Sequence, residues 1–204
     1  MQSLSNTMSV WRRVRSPVVS AAVMCACALA VAPALAQPSY QGFLCCNLRA
    51  DSGGWISDSN YHDASKRVIA FGTRTKVVGF GRSRVELEVN GQKLYLGNDY
   101  SRDIELAAFA QRYVIKGNPR NKFNEYPPQI QTAIRKMRIA KGMNRDQVLM
   151  SVGYPTSGQN PTLRAPEWKY WLNRSAPYTV IWNGQGLVGD VKADPQTRLL
   201  VLQR

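Results

Sequence analysis

The run Gly142-Met143-Asn144-Arg145-Asp146-Gln147-Val148-Leu149-Met150-Ser151-Val152-Gly153-Tyr154-Pro155 decides how this chain is read. Asn144 offers a side-chain oxygen to a free amide in the first turn of a helix. Gln147, three residues on, completes a capping-box pair, with Asn in place of the usual Ser or Thr. Met143 before the cap and Val148 inside the helix are spaced as a hydrophobic staple. Gly153 suits a left-handed C-cap, and Pro155 prevents continuation. The expected helix has about two and a half turns. Beyond a loop, Trp168-Lys169-Tyr170-Trp171 and Tyr178-Thr179-Val180-Ile181-Trp182 alternate in the manner of strands. Asn183-Gly184-Gln185-Gly186 then makes a turn from residues that accept positive φ, and Leu187–Val191 returns as a further strand.

The order Gly-Met, short helix, Gly-x-Pro, Trp-x-Tyr-Trp, hairpin, Gly-x-Val resembles the SmpA/OmlA (BamE-like) domain. The matching residues are Gly142, Met143, Val148, Gly153, Pro155, Trp168, Tyr170, Tyr178, Val180, Gly186 and Val188. The resemblance is placed on residues 127–204. It implies two helices packed on an antiparallel sheet, as in the BamE and β-lactamase-inhibitor-protein fold. That fold is a binding scaffold, so the resemblance implies a surface and a role near outer-membrane protein assembly or envelope integrity. Fold alone does not fix function.

The N-terminus reads as an export signal. Arg12, Arg13 and Arg15 precede an apolar run from Val18 to Val31, and Ala34-Leu35-Ala36 forms a small-residue cleavage site. The run is shorter than the ~20 residues that span a bilayer. Residues 1–36 are therefore expected to be removed, with Gln37 first in a soluble periplasmic protein. Members of the SmpA/OmlA family are largely lipoproteins, and here the pattern departs from them. Cys25 follows Met24, and Cys27 follows Ala26 with Met24 where Leu is expected. The lipid-anchored alternative would use Cys27.

The net charge of +14 at pH 7 would suggest nucleic acid in a cytosolic protein. Behind an export signal it points instead to anions of the envelope: lipopolysaccharide, anionic lipid, peptidoglycan or an acidic protein face. The expected partner is an envelope protein or such an anionic component, with peripheral association at the outer membrane. Nucleic acid is not expected. A cationic surface that serves only solubility is the plain alternative.

Residues 37–100 read as β structure. Val68-Ile69-Ala70-Phe71 is a short apolar run, and a strand core at Thr75–Val78 lies between Gly72 and Gly79. Val85, Leu87 and Val89 alternate with Glu86 and Glu88. Asn90-Gly91 is a strong hairpin signal, and Leu94 and Leu96 return on the partner strand. The Asn47-Leu48-Arg49 start, the Gly-Thr-x-x-Lys-Val strand and the hairpin are similar to bacterial SH3-like domains. That implies a small barrel that binds peptide or cell-wall glycan. Residues 101–126 read as a connecting helix and loop. Ser101 or Asp103 is its cap, Leu106, Phe109, Ala110, Tyr113 and Val114 form one face, and 118–128 is loop-like. Pro128 opens a further helix through Ile130, Ala133, Ile134 and Met137. Leu199–Leu202 is expected as a last strand, after a turn at Asp194–Thr197. The expected fold class is thus α+β: a small N-terminal β-barrel-like module and a C-terminal domain of two helices on an antiparallel sheet.

Catalytic chemistry is thinly represented. His62 is the one histidine, and Cys45 and Cys46 are adjacent. A cysteine hydrolase can be sketched from Cys45 or Cys46 with His62, but no nucleophile signature surrounds them. Neighbouring cysteines staple no loop, so they are expected to have no chemical role or to bridge two chains. A zinc site needs three or four ligands, which these residues do not supply. No metal, cofactor or catalytic residue is predicted. The candidate contact surface consists of Trp171 and Trp182, expected to be exposed, with Arg164 and Arg174 nearby. Arg135, Lys136 and Arg138 form a second, cationic cluster, favoured by the helix C-terminus and available to anions.

Overall fold

A computed structural model describes residues 39–204. The expected signal sequence, with Cys25 and Cys27, lies outside the described residues. In chain order the first elements are strands β1 (Tyr40–Leu44), β2 (Leu48–Ala50), β3 (Trp55–Ser57), β4 (Arg67–Ile69), β5 (Arg74–Phe80), β6 (Arg84–Val89) and β7 (Gln92–Gly97). Then come helix α1 (Leu106–Tyr113), strand β8 (Val114–Ile115), and helices α2 (Arg120–Asn124), α3 (Pro128–Arg135) and α4 (Arg145–Val152). Strands β9 (Glu167–Asn173), β10 (Ala176–Trp182) and β11 (Val188–Lys192) precede helix α5 (Pro195–Val201). The chain is α+β.

A curled mixed sheet has the order β3-β7-β6-β5-β1-β8, with β3 and β7 parallel and the other neighbours antiparallel. Its pattern follows the alternation of the sequence. Val85, Leu87 and Val89 turn inward from β6, while Glu86 and Glu88 face outward. At the hairpin, Asn90 (φ 50°) and Gly91 (φ 75°) both take positive φ, as a type I′ turn requires. A register shift between Val77 and Gly79 bends β5 and adds to the curl. Helix α1 lays Phe109, Ala110 and Tyr113 on this sheet.

The second sheet, β11-β10-β9, is antiparallel. Ile130, Ala133 and Ile134 of α3 and Val148 and Val152 of α4 share its core with Trp168, Tyr170, Tyr178 and Val180. The α4 cap forms as its residues dictate: Asn144 Oδ1 accepts from Gln147 N at 3.0 Å, and Gln147 Oε1 accepts from Asn144 N at 2.8 Å. Met143 and Val148 are both fully buried.

Several elements differ from expectation, each for a local reason. Residues 195–201 are helical rather than a strand. Asp194 accepts from Gln196 N and Thr197 N at 3.0 Å, and Pro195 occupies the first turn, where its missing N–H costs nothing. Arg120–Asn124 is a short helix inside the expected loop, started by Asn118 Oδ1 accepting from Arg120 N and anchored by buried Phe123. Helix α1 is capped by Glu105, not by Ser101 or Asp103, which bond to Ser157 instead. Val114 leaves the helix for β8. Helix α3 stops at Arg135, before Met137, whose φ of 54° cannot continue it. Cys45 and Cys46 are disulfide-bonded to each other, against the expectation of unpaired or interchain thiols.

The two buried clusters do not follow the order of the chain. Phe71, from the first half, packs on Phe123 at 4.8 Å between ring centres and belongs to the second cluster. Tyr154, from the second half, packs against the first. Buried Asn47 joins them: its Nδ2 donates to Ile134 O (2.8 Å) and Ser151 O (3.3 Å), and its Oδ1 accepts from Phe71 N (3.0 Å). Asn60 does the same work nearby, donating to Asn47 O (2.9 Å) and Val152 O (3.0 Å).

Candidate functional site

The alternation of β9 and β10 sorts the aromatic residues. Trp168 and Tyr170 point inward from β9, and Trp171 points to the other side. On β10, Trp182 shares the inward face of Tyr178 and Val180 and is only 7% exposed, so the expectation of an exposed Trp182 is corrected. Its ring meets Trp168 edge-on at 4.8 Å, and the Arg145 guanidinium covers it at 4.5 Å. Arg164 lies at this end, where its carbonyl accepts from Arg145. Arg135 covers Phe123 at 4.9 Å and bonds to Gln131 along α3. Arg164, Arg135 and Trp182 therefore sit apart from Trp171.

Trp171 and Arg174 come together in an open groove of about 350 Å³. Its other aromatic residues are Tyr61 and Tyr100, and Ser59, Thr156 and Gln159 add hydroxyl and amide groups. Tyr61 and Tyr100 meet edge-on at 6.2 Å, and Tyr100 is 46% exposed. Burial, followed by hydrogen bonding to Tyr100, holds the Tyr61 hydroxyl above its ordinary pKa, while Ser59 and Arg174 act the other way.

The groove is held by polar ties beneath it. Buried Asp58 accepts from Tyr100 N at 3.1 Å. Burial pushes the Asp58 carboxyl up to about 6 against the opposing effect of the Ser101 and Tyr100 hydrogen bonds. Gly158 N donates to Tyr100 O at 3.1 Å. Asn160 pairs twice with the main chain of Lys169, at 2.9 and 2.7 Å, and so locks the 156–160 loop to β9. Sequence reasoning missed Tyr61 and Tyr100. The Asp58-x-Asn60-Tyr61 turn and the Asn98-Asp99-Tyr100 corner carry no periodicity, and only the folded chain sets them beside β9.

No family model, curated protein or solved structure matches this chain.

The groove offers flat aromatic faces, neutral hydrogen-bonding groups and one guanidinium, with no carboxylate among its lining residues. No acid–base pair lines it. The residues of the sketched hydrolase are not assembled in one cavity. Cys45 lines an apolar groove with Tyr154, Leu149 and Tyr126, whereas His62 lines a separate cavity with Arg49. Among the described residues, no group of three His, Cys, Asp or Glu side chains is placed to hold a metal ion. No helix among them is long and apolar enough to cross a membrane. The cavity that holds His62 also takes Lys136, Arg138 and the other side of Trp171.

Proposed function

We propose that this chain is a non-enzymatic binding protein of the bacterial cell envelope, exported to the periplasm, with its contact surface at the groove around Trp171. The observation that carries this reading is the convergence of Tyr61, Tyr100, Trp171 and Arg174 on one open surface. Partly exposed Tyr and Trp with a neighbouring Arg are the side chains that most often anchor contacts. We read residues 127–204 as an SmpA/OmlA (BamE-like) module. The packing of α3 and α4 on the three-stranded antiparallel sheet supports this, as does the capping box at Asn144. We read residues 37–100 as an SH3-like module, supported by the curled sheet and its Asn90-Gly91 hairpin. The role that follows is support of outer-membrane protein assembly or envelope integrity through an envelope protein or an anionic component.

Affinity capture of the tagged protein from crosslinked envelopes, read by mass spectrometry, tests this. The wild type is expected to recover a defined set of outer-membrane assembly components, and a Tyr100→Ala/Trp171→Ala variant to lose them. Equal recovery by both would remove the groove from the reading, and recovery of no envelope component would overturn the reading itself.

The aromatic groove also favours a second reading, the cell-wall glycan. Aromatic faces stack on sugar rings while amides and hydroxyls take their hydroxyl groups. Sedimentation of the intact protein with purified peptidoglycan, weakened by Trp171→Ala, would favour it. Failure to sediment would leave the protein partner as the reading.

A further inference from the structure

A second, smaller cavity of about 120 Å³ lies on the other side of Trp171. Three cationic side chains and one imidazole line it: Arg49 of β2, Lys136 at the end of α3, Arg138, and His62 after β3. No Asp or Glu lines it. The carboxylate nearest His62 is Asp63, which is turned to its own loop, accepting from Ser65 N at 2.9 Å and Ser65 Oγ at 2.7 Å.

Arg49 is the informative residue. It is 9% exposed, and its guanidinium forms no ion pair with any described residue. One Nη1 contact, to Asn60 O at 3.3 Å, is its side-chain hydrogen bond. An arginine cannot shed its proton to escape burial, so a buried guanidinium without a counter-charge is costly unless an anion reaches it. Burial already lowers its pKa. Tyr178 is the second observation. It is 6% exposed and lines the same cavity, and no described residue hydrogen-bonds its hydroxyl. Its stacking partner Tyr170, by contrast, donates to Gly153 O at 3.1 Å. A phenol whose hydroxyl opens to the cavity without a protein partner, beside a buried guanidinium without an ion pair, is a donor set that lacks its acceptor.

We propose that this cavity is a binding site for a small oxyanion, a carboxylate or phosphate group, held by the Arg49 guanidinium and the Tyr178 hydroxyl within the field of Lys136 and Arg138 and beside the His62 imidazole. The volume equals the share of about four water molecules, enough for one such head group. Met137, Val152 and Leu172 close the cavity with apolar surface, and Leu200 at its edge is 49% exposed. Low polarizability around the charges strengthens the pairing and protects it from salt. The site stands on its own geometry and does not depend on the envelope reading. Were both true, it would select the anionic members of that ligand class.

His62 provides the readout, because it is the one histidine and gives a single set of imidazole resonances. Its pKa lies below the ordinary value through burial, then through Arg49 and Arg138, with Asp63 acting oppositely. A bound anion should raise it. The experiment is a proton NMR titration of the untagged chain with sodium acetate and, separately, inorganic phosphate, at ionic strength held constant with chloride. Saturable shifts of the His62 resonances, with an upward move of its titration midpoint, are expected. Tyr178→Phe should weaken binding about tenfold, as for loss of one hydrogen bond to a charged group. Arg49→Gln should abolish it. Saturation by acetate alone assigns the carboxylate source, and saturation by phosphate alone assigns the phosphate source. A linear response matching that of chloride would overturn the site. So would equal binding by folded Tyr178→Phe protein, which keeps the test decisive if Arg49→Gln does not fold.

Discussion

Asp58 shows how one buried side chain sets a condition on the whole molecule. Its main-chain partners hold the Tyr100 corner, and burial outweighs their stabilisation of its charge, with Asp99 adding repulsion. A carboxyl whose folded-state pKa is raised from 3.8 to about 6 binds more protons folded than unfolded. Its contribution is therefore fully present below its unfolded pKa and is lost as the pH rises through about 6. The loss amounts to about 3 kcal/mol. Asp190 acts in the opposite direction. Hydrogen bonding from Arg198 comes first among the causes that hold its carboxyl at about 2, so its contribution is present above 3.8 and is lost as the pH falls from there through about 2. The two windows do not overlap. Urea unfolding of the wild type should thus show stability falling between pH 4 and 6, and Asp58→Asn should remove that slope while keeping an acceptor for Tyr100 N. A variant with the wild-type slope would show that another group is responsible.

At the scale of elements, the caps decide where the chain turns helical. Asn144 and Gln147 satisfy each other's main-chain amides, and the glycine at the other end takes φ of 88°. Asn144→Ala removes one half of that exchange and should cost about 1 kcal/mol. Urea denaturation checks this; unchanged stability would mean that packing of Val148 and Val152 alone holds α4. The same chemistry explains where reading by periodicity failed. Leu199-Leu200-Val201-Leu202 looks like a strand by composition, but Asp194 and Pro195 start a helix before it. Four consecutive apolar residues fit either period, so the cap is the deciding signal. The Asn118 start of α2 carried the same kind of information.

At the scale of the whole molecule, two buried clusters are joined through polar rather than apolar groups. Asn47 reaches main-chain atoms of α3, α4 and Phe71 at once, and Asn60, at φ 50°, stacks a second set of bonds on it. Asn47→Ala strands the Ser151 carbonyl and the Phe71 amide, while Ile134 O keeps its bond from Met137 N, and should lower the unfolding free energy by about 3 kcal/mol. Hydrogen exchange should quicken at the Phe71 amide, which loses its acceptor, and around residues 134 and 151. Loss of stability without that local change would place the effect elsewhere.

The local reading was sound where one segment carried the whole instruction. Caps at Asn144, the Asn90-Gly91 turn and the inward–outward order of β6 and β9 depend on neighbours within a few residues, and these were legible. The α+β class followed from them. Trp171 and Arg174 could be named because they lie on one short hairpin. What only the tertiary structure decided is everything that depends on distant segments: the burial of Trp182 under Arg145, the pairing of Trp171 with Tyr61 and Tyr100, and the enclosure of Arg49 and Tyr178 around one cavity. Those contacts are set by which sheet face meets which helix. A side chain's alternation fixes its face but not what that face will meet.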